Sequence, residues 1–427
     1  MDRDTIVALA TAAVPAGLGV IRVSGDKAKM ALNTIFKAKT SPLDDPRRLI
    51  LGKVVDPINN STIDKAFAVY MPSPSTYTGE DIVEFQFHGS PLVAQKIIGS
   101  LLSLGFRVAE AGEFTKRAFL NAKIDLVQAE AIGDLIHAGS ERALEIAEEQ
   151  LEGRFSKAIE EIGEPLRQEL AELEASIDFP EEEIETQQQQ NLFIVVDSAI
   201  SSIDKLLSSY RYGQVLKDGF KVLLCGSPNV GKSTLFNKFL GRSRAIVTDI
   251  SGTTRDLLEE HVLIDGQAFV FCDSAGIRQS EDAIEQIGIS LALDRFSWAD
   301  LILFVVDSTE SCESAKEFIE DKEHKFWLIL NKIDLAKDRY NLSELSKLSL
   351  PSFRVSALTG QGIDELSNAL VAELKNTLGF QSETSLIVAN ERQKDCLLRA
   401  REALTKLKQG AVEGAPLEIL CADLWSA

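Results

Sequence analysis

Short apolar segments separated by turn residues make up the first part of the chain. Residues 92–104 carry apolar side chains at helical spacing and end at Gly105, a residue type that commonly follows a helix. Four other segments have the β-branched or alternating apolar and polar positions typical of strands: residues 6–10, 20–23, 69–70 and 82–87. Together these segments predict a compact α+β domain over residues 1–119.

Apolar positions three and four residues apart dominate the next part of the chain and predict helices. One such stripe covers residues 159–177 and a second covers 196–210, with Pro180 between them. We expect the glutamines at 187–190 to form a loop. A third stripe at 390–409 predicts a helix that completes a bundle with the first two, so that the intervening segment is an insertion.

Charge is distributed unevenly along the chain, which has 45 basic and 65 acidic residues and a formal net charge of −20. Residues 1–119 hold 14 basic and 12 acidic residues, residues 120–213 hold 7 and 21, and residues 214–427 hold 24 and 32. This balance excludes a chain coated with nucleic-acid-binding positive charge, although it permits a local basic patch. The changes in charge also indicate domain boundaries near residues 120 and 213.

The cysteines and the apolar runs indicate the compartment. Five cysteines lie at scattered positions without paired spacing, which predicts reduced thiols and no disulfide framework or zinc site. No apolar run approaches the roughly 20 residues of a membrane span. The first 13 residues make a poor signal peptide. We therefore expect a cytoplasmic protein with no membrane partner.

A phosphate-binding motif lies in the middle of the chain. Residues 226–233 are Gly-Ser-Pro-Asn-Val-Gly-Lys-Ser, between an apolar strand at 222–225 and a predicted helix at 234–240. Backbone N–H groups of such a loop surround phosphate oxygens, Lys232 reaches the terminal phosphates, and the Ser233 hydroxyl is a hard ligand for Mg²⁺. The nucleotide contacts predicted in this segment are Asn229, Val230, Gly231, Lys232, Ser233 and Thr234.

Three further motifs follow predicted strands in the order expected of a guanine nucleotide-binding domain: D-x-x-G at 273–276, N-K-x-D at 331–334 and Ser-Ala-Leu at 356–358. In the D-x-x-G motif at 273–276, Asp273 can hold Mg²⁺ through water and the glycine N–H can contact the γ-phosphate. The aspartate of the N-K-x-D motif at 331–334 can accept from guanine N1–H and its 2-amino group, whereas adenine offers no matching donors. GTP is therefore the predicted substrate. The contacts predicted here are Asp273, Ser274, Ala275, Gly276, Asn331, Lys332, Asp334, Ser356 and Ala357.

The water-orienting group of this site differs from that of small signalling GTPases. Those enzymes place a glutamine directly after D-x-x-G, where this chain has Ile277. Three groups could compensate: the Asn229 amide, the Glu285 carboxylate and the Arg255 guanidinium. Thr253 and Thr254 are both candidates to complete the Mg²⁺ shell. The loop before D-x-x-G contributes the predicted contacts Thr248, Asp249, Ile250, Ser251, Gly252, Thr253 and Thr254.

These motifs and several N-terminal strings make the chain resemble the MnmE (TrmE) family of tRNA-modification GTPases. The strings are DTIVA at 4–8, GVIRVSG at 19–25, YTGED at 77–81, FHG at 87–89, AGEFTKRAF at 111–119 and NAKIDLVQAEA at 121–131. The motifs at 226–233, 253–256 and 273–276 add to them. The implied architecture is an α+β folate-binding and dimerisation domain at 1–119, an α-helical bundle at 120–213 and 379–427, and an inserted Ras-like α/β P-loop GTPase domain at 214–378.

The resemblance also implies ligands for both parts of the chain. A tetrahydrofolate derivative (5-formyl or 5,10-methylene) would be held by Arg22, Glu80 and Lys123, although Lys123 could instead cap a helix and Glu80 close a turn. Glu285 would be the catalytic acidic residue. K⁺ would be bound by Asn229, Thr248, the Ile250 carbonyl and Thr253, and Mg²⁺ by Ser233 and Thr254; all are the oxygen donors that hard cations prefer.

The function implied by the resemblance is GTP-driven tRNA modification. A homodimer, whose GTPase domains associate with the help of K⁺, would work with the flavoprotein MnmG (GidA) as a heterotetramer. Together they would add an aminomethyl or carboxymethylaminomethyl group at C5 of the wobble uridine in certain tRNAs. Because the net charge is −20, we expect the flavoprotein to hold most of the tRNA.

Two other classes of GTPase remain as alternatives. An RNA- or ribosome-associated GTPase switch without a role in base chemistry would carry a basic C-terminal RNA module with a G-x-x-G loop. A membrane-remodelling GTPase would carry a lipid-binding basic or apolar segment. The sequence displays neither feature, and its acidic helical part at 120–213 argues against the first.

The last residues depart from the family pattern. Members of the family end in Cys-Ile-Gly-Lys, whereas residues 423–427 are Asp-Leu-Trp-Ser-Ala, and Cys421 does not stand in that motif. We expect a truncated or frame-shifted end. On this expectation GTP binding and K⁺-stimulated hydrolysis survive, while tRNA modification is impaired.

Overall fold

Two compact units divide the chain, Met1–Glu130 and Ala131–Ala427. The computed structural model describes residues 4–178, 185–241, 259–273, 296–307, 325–335, 350–378 and 386–427. Within these ranges, no helix combines the length and the apolar character needed to cross a membrane. The four-part division predicted from charge and resemblance stays a prediction.

The first unit is built on a seven-stranded sheet with the order β3-β4-β5-β6-β2-β1-β7. All neighbouring strands are antiparallel except β1 and β7, which are parallel. The strands are β1 (Ile6–Leu9), β2 (Gly19–Ser24), β3 (Phe36–Ala38), β4 (Ile50–Val55), β5 (Thr62–Met71), β6 (Ile82–Phe87) and β7 (Arg107–Val108). The strands predicted at 6–10, 20–23 and 82–87 are confirmed, and residues 69–70 lie near the end of β5.

Helices pack on one face of this sheet. They are α1 (Ala28–Ile35) and α2 (Pro91–Ser103), and a third helix, α3 (Glu113–Leu120), follows β7. Apolar side chains of α1 and α2, such as Leu32 and Ile97, pack with Val23 and Phe85 of the strands in one buried cluster. The predicted helix at 92–104 is α2, and Gly105 follows it with a φ of 83°, the left-handed conformation expected after a helix end.

The second unit contains a helical part and a six-stranded sheet. The helices before this sheet are α4 (Leu126–His137), which begins before the boundary at residue 131, α5 (Glu141–Leu151), α6 (Arg154–Asp178), α7 (Glu185–Ser208) and α8 (Tyr210–Asp218). The helices within and after it are α9 (Lys232–Leu240), α10 (Ile363–Leu378), α11 (Glu391–Val412) and α12 (Leu417–Ser426). The strands are β8 (Phe220–Cys225), β9 (Glu259–Ile264), β10 (Gln267–Asp273), β11 (Leu301–Asp307), β12 (Phe326–Asn331) and β13 (Ser352–Arg354).

The last two helices pack against helices that precede the sheet in sequence. Helix α11 packs against α7, and α12 packs against α6. Lys408 Nζ lies 2.5 Å from Asp197 Oδ1, and Trp425 Nε1 donates to Glu174 Oε1 at 3.2 Å. The sheet is therefore inserted between parts of one helical bundle, as the apolar pattern predicted.

The prediction of a loop for the four glutamines at 187–190 is wrong. Residues 187–190 are helical and belong to α7. Glutamine is a good helix former, and no glycine or proline interrupts the chain between Glu185 and Ser208. The polarity of these residues predicted a loop, yet polar side chains are equally compatible with a helix.

The six-stranded sheet has the order β13-β12-β11-β8-β10-β9. Its strands are parallel except for β9, which pairs antiparallel with β10. Strands β11 and β12 are buried along their whole length, so they are apolar at nearly every position instead of alternating. Phe220, Phe269 and Phe271 lie in the core that this sheet shares with α9 and α10.

Candidate functional site

The carboxyl ends of the parallel strands carry the predicted nucleotide-binding motifs. The phosphate-binding loop follows β8, Asp273 is the last residue of β10, and Asn331 is the last residue of β12. Ligands of open parallel sheets bind at the carboxyl ends of the strands, because the connecting loops meet there. The fold therefore brings motifs that are far apart in sequence to one edge.

Two glycines of the phosphate-binding loop are required by close packing. Gly226 has a φ of 142°, and a Cβ there would lie 2.1 Å from the Val305 carbonyl oxygen. Gly231 has a φ of 98°, and its Cβ would lie 2.3 Å from Asn331 Nδ2. Any side chain at either position would therefore strain the backbone and collide with a neighbouring strand end.

Lys232 folds over the loop that precedes it. Its side chain is buried, and Nζ donates to the carbonyl oxygens of Gly226 and Ser227, each at 2.9 Å. Lys232 is also the first residue of α9, so Ser233 and Thr234 lie in the first turn of that helix. This end of the helix offers backbone N–H groups and the positive end of its dipole to an anion.

The N-K-x-D motif contacts the phosphate-binding loop directly. Asn331 Nδ2 donates to the Val230 carbonyl at 2.9 Å, and Asn331 Oδ1 accepts from the Ala357 N–H at 2.9 Å. Lys332 Nζ donates to the Asn229 carbonyl at 2.8 Å. These residues were predicted from three separate motifs, and hydrogen bonds join them in the structure.

Asp307 belongs to this hydrogen-bonded network, although the sequence did not predict it as a site residue. It is the last residue of β11, is buried, and its Oδ2 lies 2.6 Å from Lys332 Nζ. The carboxylate neutralises the ammonium group that bonds the Asn229 carbonyl. The available signal was an acidic residue at the end of the apolar run 301–306.

The remaining guanine-contact candidates lie beside this network. Asp334 is exposed in the turn after β12, where its carboxylate is accessible to a base. Ser356 is completely buried, and its Oγ accepts from the Thr359 N–H at 3.1 Å. The Ala357 N–H is already bonded to Asn331, so the loop after β13 is tied to the end of β12.

Several candidates lie outside the described residues. They are Thr248, Asp249, Ile250, Ser251, Gly252, Thr253, Thr254, Ser274, Ala275, Gly276 and Glu285, together with Arg255 and Ile277. Within the described ranges, no group of three or more His, Cys, Asp or Glu side chains could hold a metal ion.

A second cluster of candidate residues lies in the first unit, around the turn at 77–81. Arg22 Nε donates to Glu84 Oε1 at 2.7 Å, and its guanidinium lies over the rings of Tyr77 and Phe114, at 5.6 and 5.7 Å from their centroids. Lys123 is exposed, and its side chain lies beside Gly79, where an added Cβ would be 3.1 Å from Lys123 Cε.

Glu80 is the buried member of this cluster. Its Oε2 accepts from Ser24 Oγ at 2.8 Å and from Arg117 Nη1 at 3.0 Å. Arg117 also donates to Glu113 Oε1 at 3.0 Å. Arg117 and Glu113 belong to the AGEFTKRAF string but were not predicted as site residues, because their contacts join segments far apart in sequence.

Glu113 is held ionised by its surroundings. Arg107 donates to both carboxylate oxygens, at 2.7 and 3.1 Å, and the Glu110 N–H donates at 2.7 Å. The hydrogen bonds from Arg107 lower the pKa of Glu113 from 4.5 to about 2. The chain Arg107–Glu113–Arg117 thus presents a fixed cation to Glu80.

Comparison with known proteins agrees with this arrangement. The family described as the GTP-binding protein TrmE N-terminus matches residues 5–123, and the MnmE helical domain family matches residues 126–427. The tRNA modification GTPase MnmE of Geotalea uraniireducens is 40% identical over 427 residues, which cover 100% of this chain and 93% of that protein.

The chain belongs to the MnmE family. The MnmE proteins of Geobacter sulfurreducens and Clostridioides difficile are 39% and 40% identical, over 100% and 99% of this chain and 93% and 92% of theirs. The G domain of the T. maritima FeoB iron transporter is 29% identical, over 36% of this chain and 99% of that chain, with a TM-score of 0.29. Members of the MnmE family are tRNA modification GTPases, so this protein is a GTP-hydrolysing enzyme that acts in tRNA modification.

Proposed function

We propose that the protein couples K⁺-stimulated GTP hydrolysis to modification of the wobble uridine, using a one-carbon unit from a tetrahydrofolate derivative. A homodimer of this chain acts together with a flavoprotein of the MnmG type. The relatives are tRNA modification GTPases, which favours this function over a GTPase switch without a role in base chemistry.

The geometry of Asn229 carries the K⁺ part of the proposal. Asn229 has a φ of 64°, a left-handed conformation that asparagine tolerates better than most residues. Lys332, paired with Asp307, bonds its carbonyl oxygen and thereby ties this residue to the ends of two strands. The amide of Asn229 would thus hold a monovalent cation from a fixed backbone, with Thr248, the Ile250 carbonyl and Thr253 as further ligands.

The donor set fits the two cations. Amide, hydroxyl and carbonyl oxygens are ligands that hard cations accept. Ser233, in the first turn of α9, and Thr254 would hold Mg²⁺. When bound, Mg²⁺ and K⁺ would neutralise charge on the phosphates. Glu285 would orient the attacking water, which is the role of the glutamine that this chain lacks at position 277.

The folate part of the proposal rests on the cluster around the turn at 77–81. A pterin has a guanidine-like edge that an acidic side chain can bind, and a folate glutamate tail is anionic. Glu80 offers a buried carboxylate that Arg117 and Ser24 keep oriented. Arg22 and Lys123 add positive charge to the same turn, so the residue types present fit this ligand.

The K⁺ assignment is tested by measuring GTP hydrolysis in KCl and in NaCl at equal ionic strength. We expect hydrolysis to be about tenfold faster or more in KCl. In Asn229→Gly the amide is lost, yet glycine adopts a φ of 64° without strain. This variant should bind GTP in NaCl as the unchanged protein does and lose the difference between the two salts. Equal rates in both salts for the unchanged protein would refute the assignment.

The folate assignment is tested by calorimetric titration of the full chain with 5-formyltetrahydrofolate. Lys123 is exposed, so Lys123→Gln should fold normally and bind about tenfold more weakly, since a charge-assisted hydrogen bond is lost. Lys96→Gln on α2 is the matched control and should bind as the unchanged protein does. Equal affinities for both variants would count against a folate site at this turn.

A further inference from the structure

Three lysines lie opposite one another on adjacent strands of the seven-stranded sheet. In the register of β3 and β4, Lys37 faces Lys53, and in the register of β4 and β5, Lys53 faces Lys65. Residues directly opposite on neighbouring strands have Cβ atoms about 4.5–5.5 Å apart. The three side chains therefore form a row across three strands, which we call the lysine ladder.

The lysine ladder is exposed and is not neutralised. All three side chains are exposed, and none of them forms an ion pair with another residue in the described part of the chain. Like charges directly opposite each other destabilise a sheet. In a chain with a net charge of −20, three unpaired lysines in register are thus an arrangement that folding alone does not favour.

Apolar side chains adjoin the lysine ladder on the same face of the sheet. Leu51 and Phe67 face each other two residues along from Lys53 and Lys65, and they are 49% and 42% exposed. The helices α1 and α2 pack on the opposite face, against Phe85 and Val23. Phe67 thus presents part of its aromatic ring to solvent beside a row of positive charges.

The combination of unpaired lysines with an exposed aromatic ring matches single-stranded RNA. Lysines contact backbone phosphates, and every base can stack on an aromatic face. We propose that the lysine ladder with Phe67 binds the tRNA substrate in the region of an unpaired loop. Association with a second copy of the chain through this face is disfavoured, because a two-fold axis would bring lysines towards lysines.

The position of this surface suits the chemistry proposed for the first unit. Phe67 faces Gln86, Gln86 faces Val20, and Arg22 is two residues along the same strand as Val20. Strands lie about 4.8 Å apart, so the Phe67 backbone is about 10 Å from that of β2. RNA held on the lysine ladder would reach the proposed folate site. This last step rests on the proposed function, whereas RNA binding by the ladder does not.

The test is the affinity of the full chain for a tRNA transcript carrying uridine at the wobble position, measured by filter binding without folate or GTP. The variant combines Lys53→Gln and Lys65→Gln, and the control combines Lys27→Gln and Lys96→Gln on the helical side of the same unit. We expect the ladder variant to bind about tenfold more weakly at ~0.1 M salt. The slope of log K against log salt should fall by roughly 1.4–1.8, the loss of two phosphate contacts.

Thermal unfolding tests whether the ladder variant folds, and a substitution of Phe67 tests base stacking. Because like-charge repulsion is removed, the ladder variant should unfold at the same temperature as the unchanged protein or a higher one. Phe67→Leu keeps an apolar side chain but removes the ring, and it should weaken binding at least about fivefold without changing the salt slope. The control pair should change affinity less than about twofold.

Several outcomes would overturn the proposal. One is an unchanged protein that does not bind the transcript, and another is a ladder variant with unchanged affinity and slope. Loss of flavoprotein binding with RNA binding intact would identify a protein surface instead. A change from dimer to monomer by size-exclusion chromatography would identify contact between two copies of the chain. This binding assay contains neither folate nor GTP. A negative result would therefore not affect the folate and K⁺ assignments, which have their own tests.

Discussion

Asn229, Gly231 and Lys332 have backbone φ values of 64°, 98° and 63°, and all three lie where the nucleotide motifs meet. Left-handed backbone is unfavourable for a lysine, so other contacts must compensate for it. Lys332 has these contacts, since its Nζ bonds the Asn229 carbonyl and the Asp307 carboxylate. At the scale of single residues, hydrogen bonds within the site therefore compensate for the unfavourable backbone conformation of Lys332.

Glu113 gives a residue-scale prediction for pH. Its pKa is lowered from 4.5 to about 2 by Arg107, so its contribution to stability is complete above about pH 4.5 and is lost as the pH falls towards 2. At pH 7, Glu113→Gln should lower the free energy of unfolding by about 1–3 kcal/mol. Urea unfolding should show that the difference in free energy of unfolding between Glu113→Gln and the unchanged protein becomes smaller below pH 4.5.

The control for this prediction is Glu110→Gln, because Glu110 is exposed and contacts Glu113 through its backbone N–H and carbonyl groups, which this substitution keeps. This variant should match the unchanged protein at every pH. A gap between Glu113→Gln and the unchanged protein that stays constant from pH 7 to pH 3 would show that the charge of Glu113 does not stabilise the unit.

At the scale of elements, helix α8 is placed against the segment that precedes α11. Gly213 of α8 is buried, and its closest neighbour is the Val388 backbone, whose N–H bonds Ser209 Oγ at 3.0 Å. Ile387 and Leu216 also share a buried cluster. The segment before α11 thus packs against α8, the helix that leads into the six-stranded sheet.

Gly213→Ala tests how tightly α8 packs. Alanine is normally better than glycine in a helix, but its Cβ would lie 2.2 Å from the Val388 carbonyl oxygen, and backbone cannot move aside easily. We expect destabilisation of about 1–3 kcal/mol, seen as a lower thermal unfolding midpoint of the second unit. Gly410→Ala in α11 is the matched helical control.

The control has room for the methyl group, since the atoms nearest to a Cβ at Gly410 are 3.4 and 3.5 Å away. Gly410→Ala should therefore leave stability unchanged or raise it by up to about 1 kcal/mol. Equal midpoints for the two variants would mean that α8 and the segment before α11 separate without cost.

At the scale of the whole molecule, the net charge of −20 conceals a local arrangement of opposite sign. The acidic residues are concentrated in the helical part, whereas the first unit is nearly neutral and carries the lysine ladder. The overall charge by itself predicts that a flavoprotein holds most of the tRNA. Since screening limits the reach of exposed charges to about 10 Å, local patches decide where RNA binds more than the total does.

The sequence by itself determined the elements and the motifs whose signals are local. Buried strands such as β11 and β12 are continuous apolar runs, and the phosphate-binding loop is eight consecutive residues between a strand and a helix. The helical bundle with its insertion was also predictable, because amphipathic stripes occur on both sides of the sheet. The glutamines at 187–190 were misassigned, since polarity alone does not distinguish a loop from an exposed helix.

Only the tertiary structure decided which distant side chains meet. Asp307 contacts Lys332, and Arg117 contacts Glu80, because strand order and helix placement bring them together. The lysine ladder depends on the register of three strands, and a shift of one residue would move each lysine to the opposite face. Register and topology are set by the packing of the whole sheet, so no local pattern in the chain encodes these contacts.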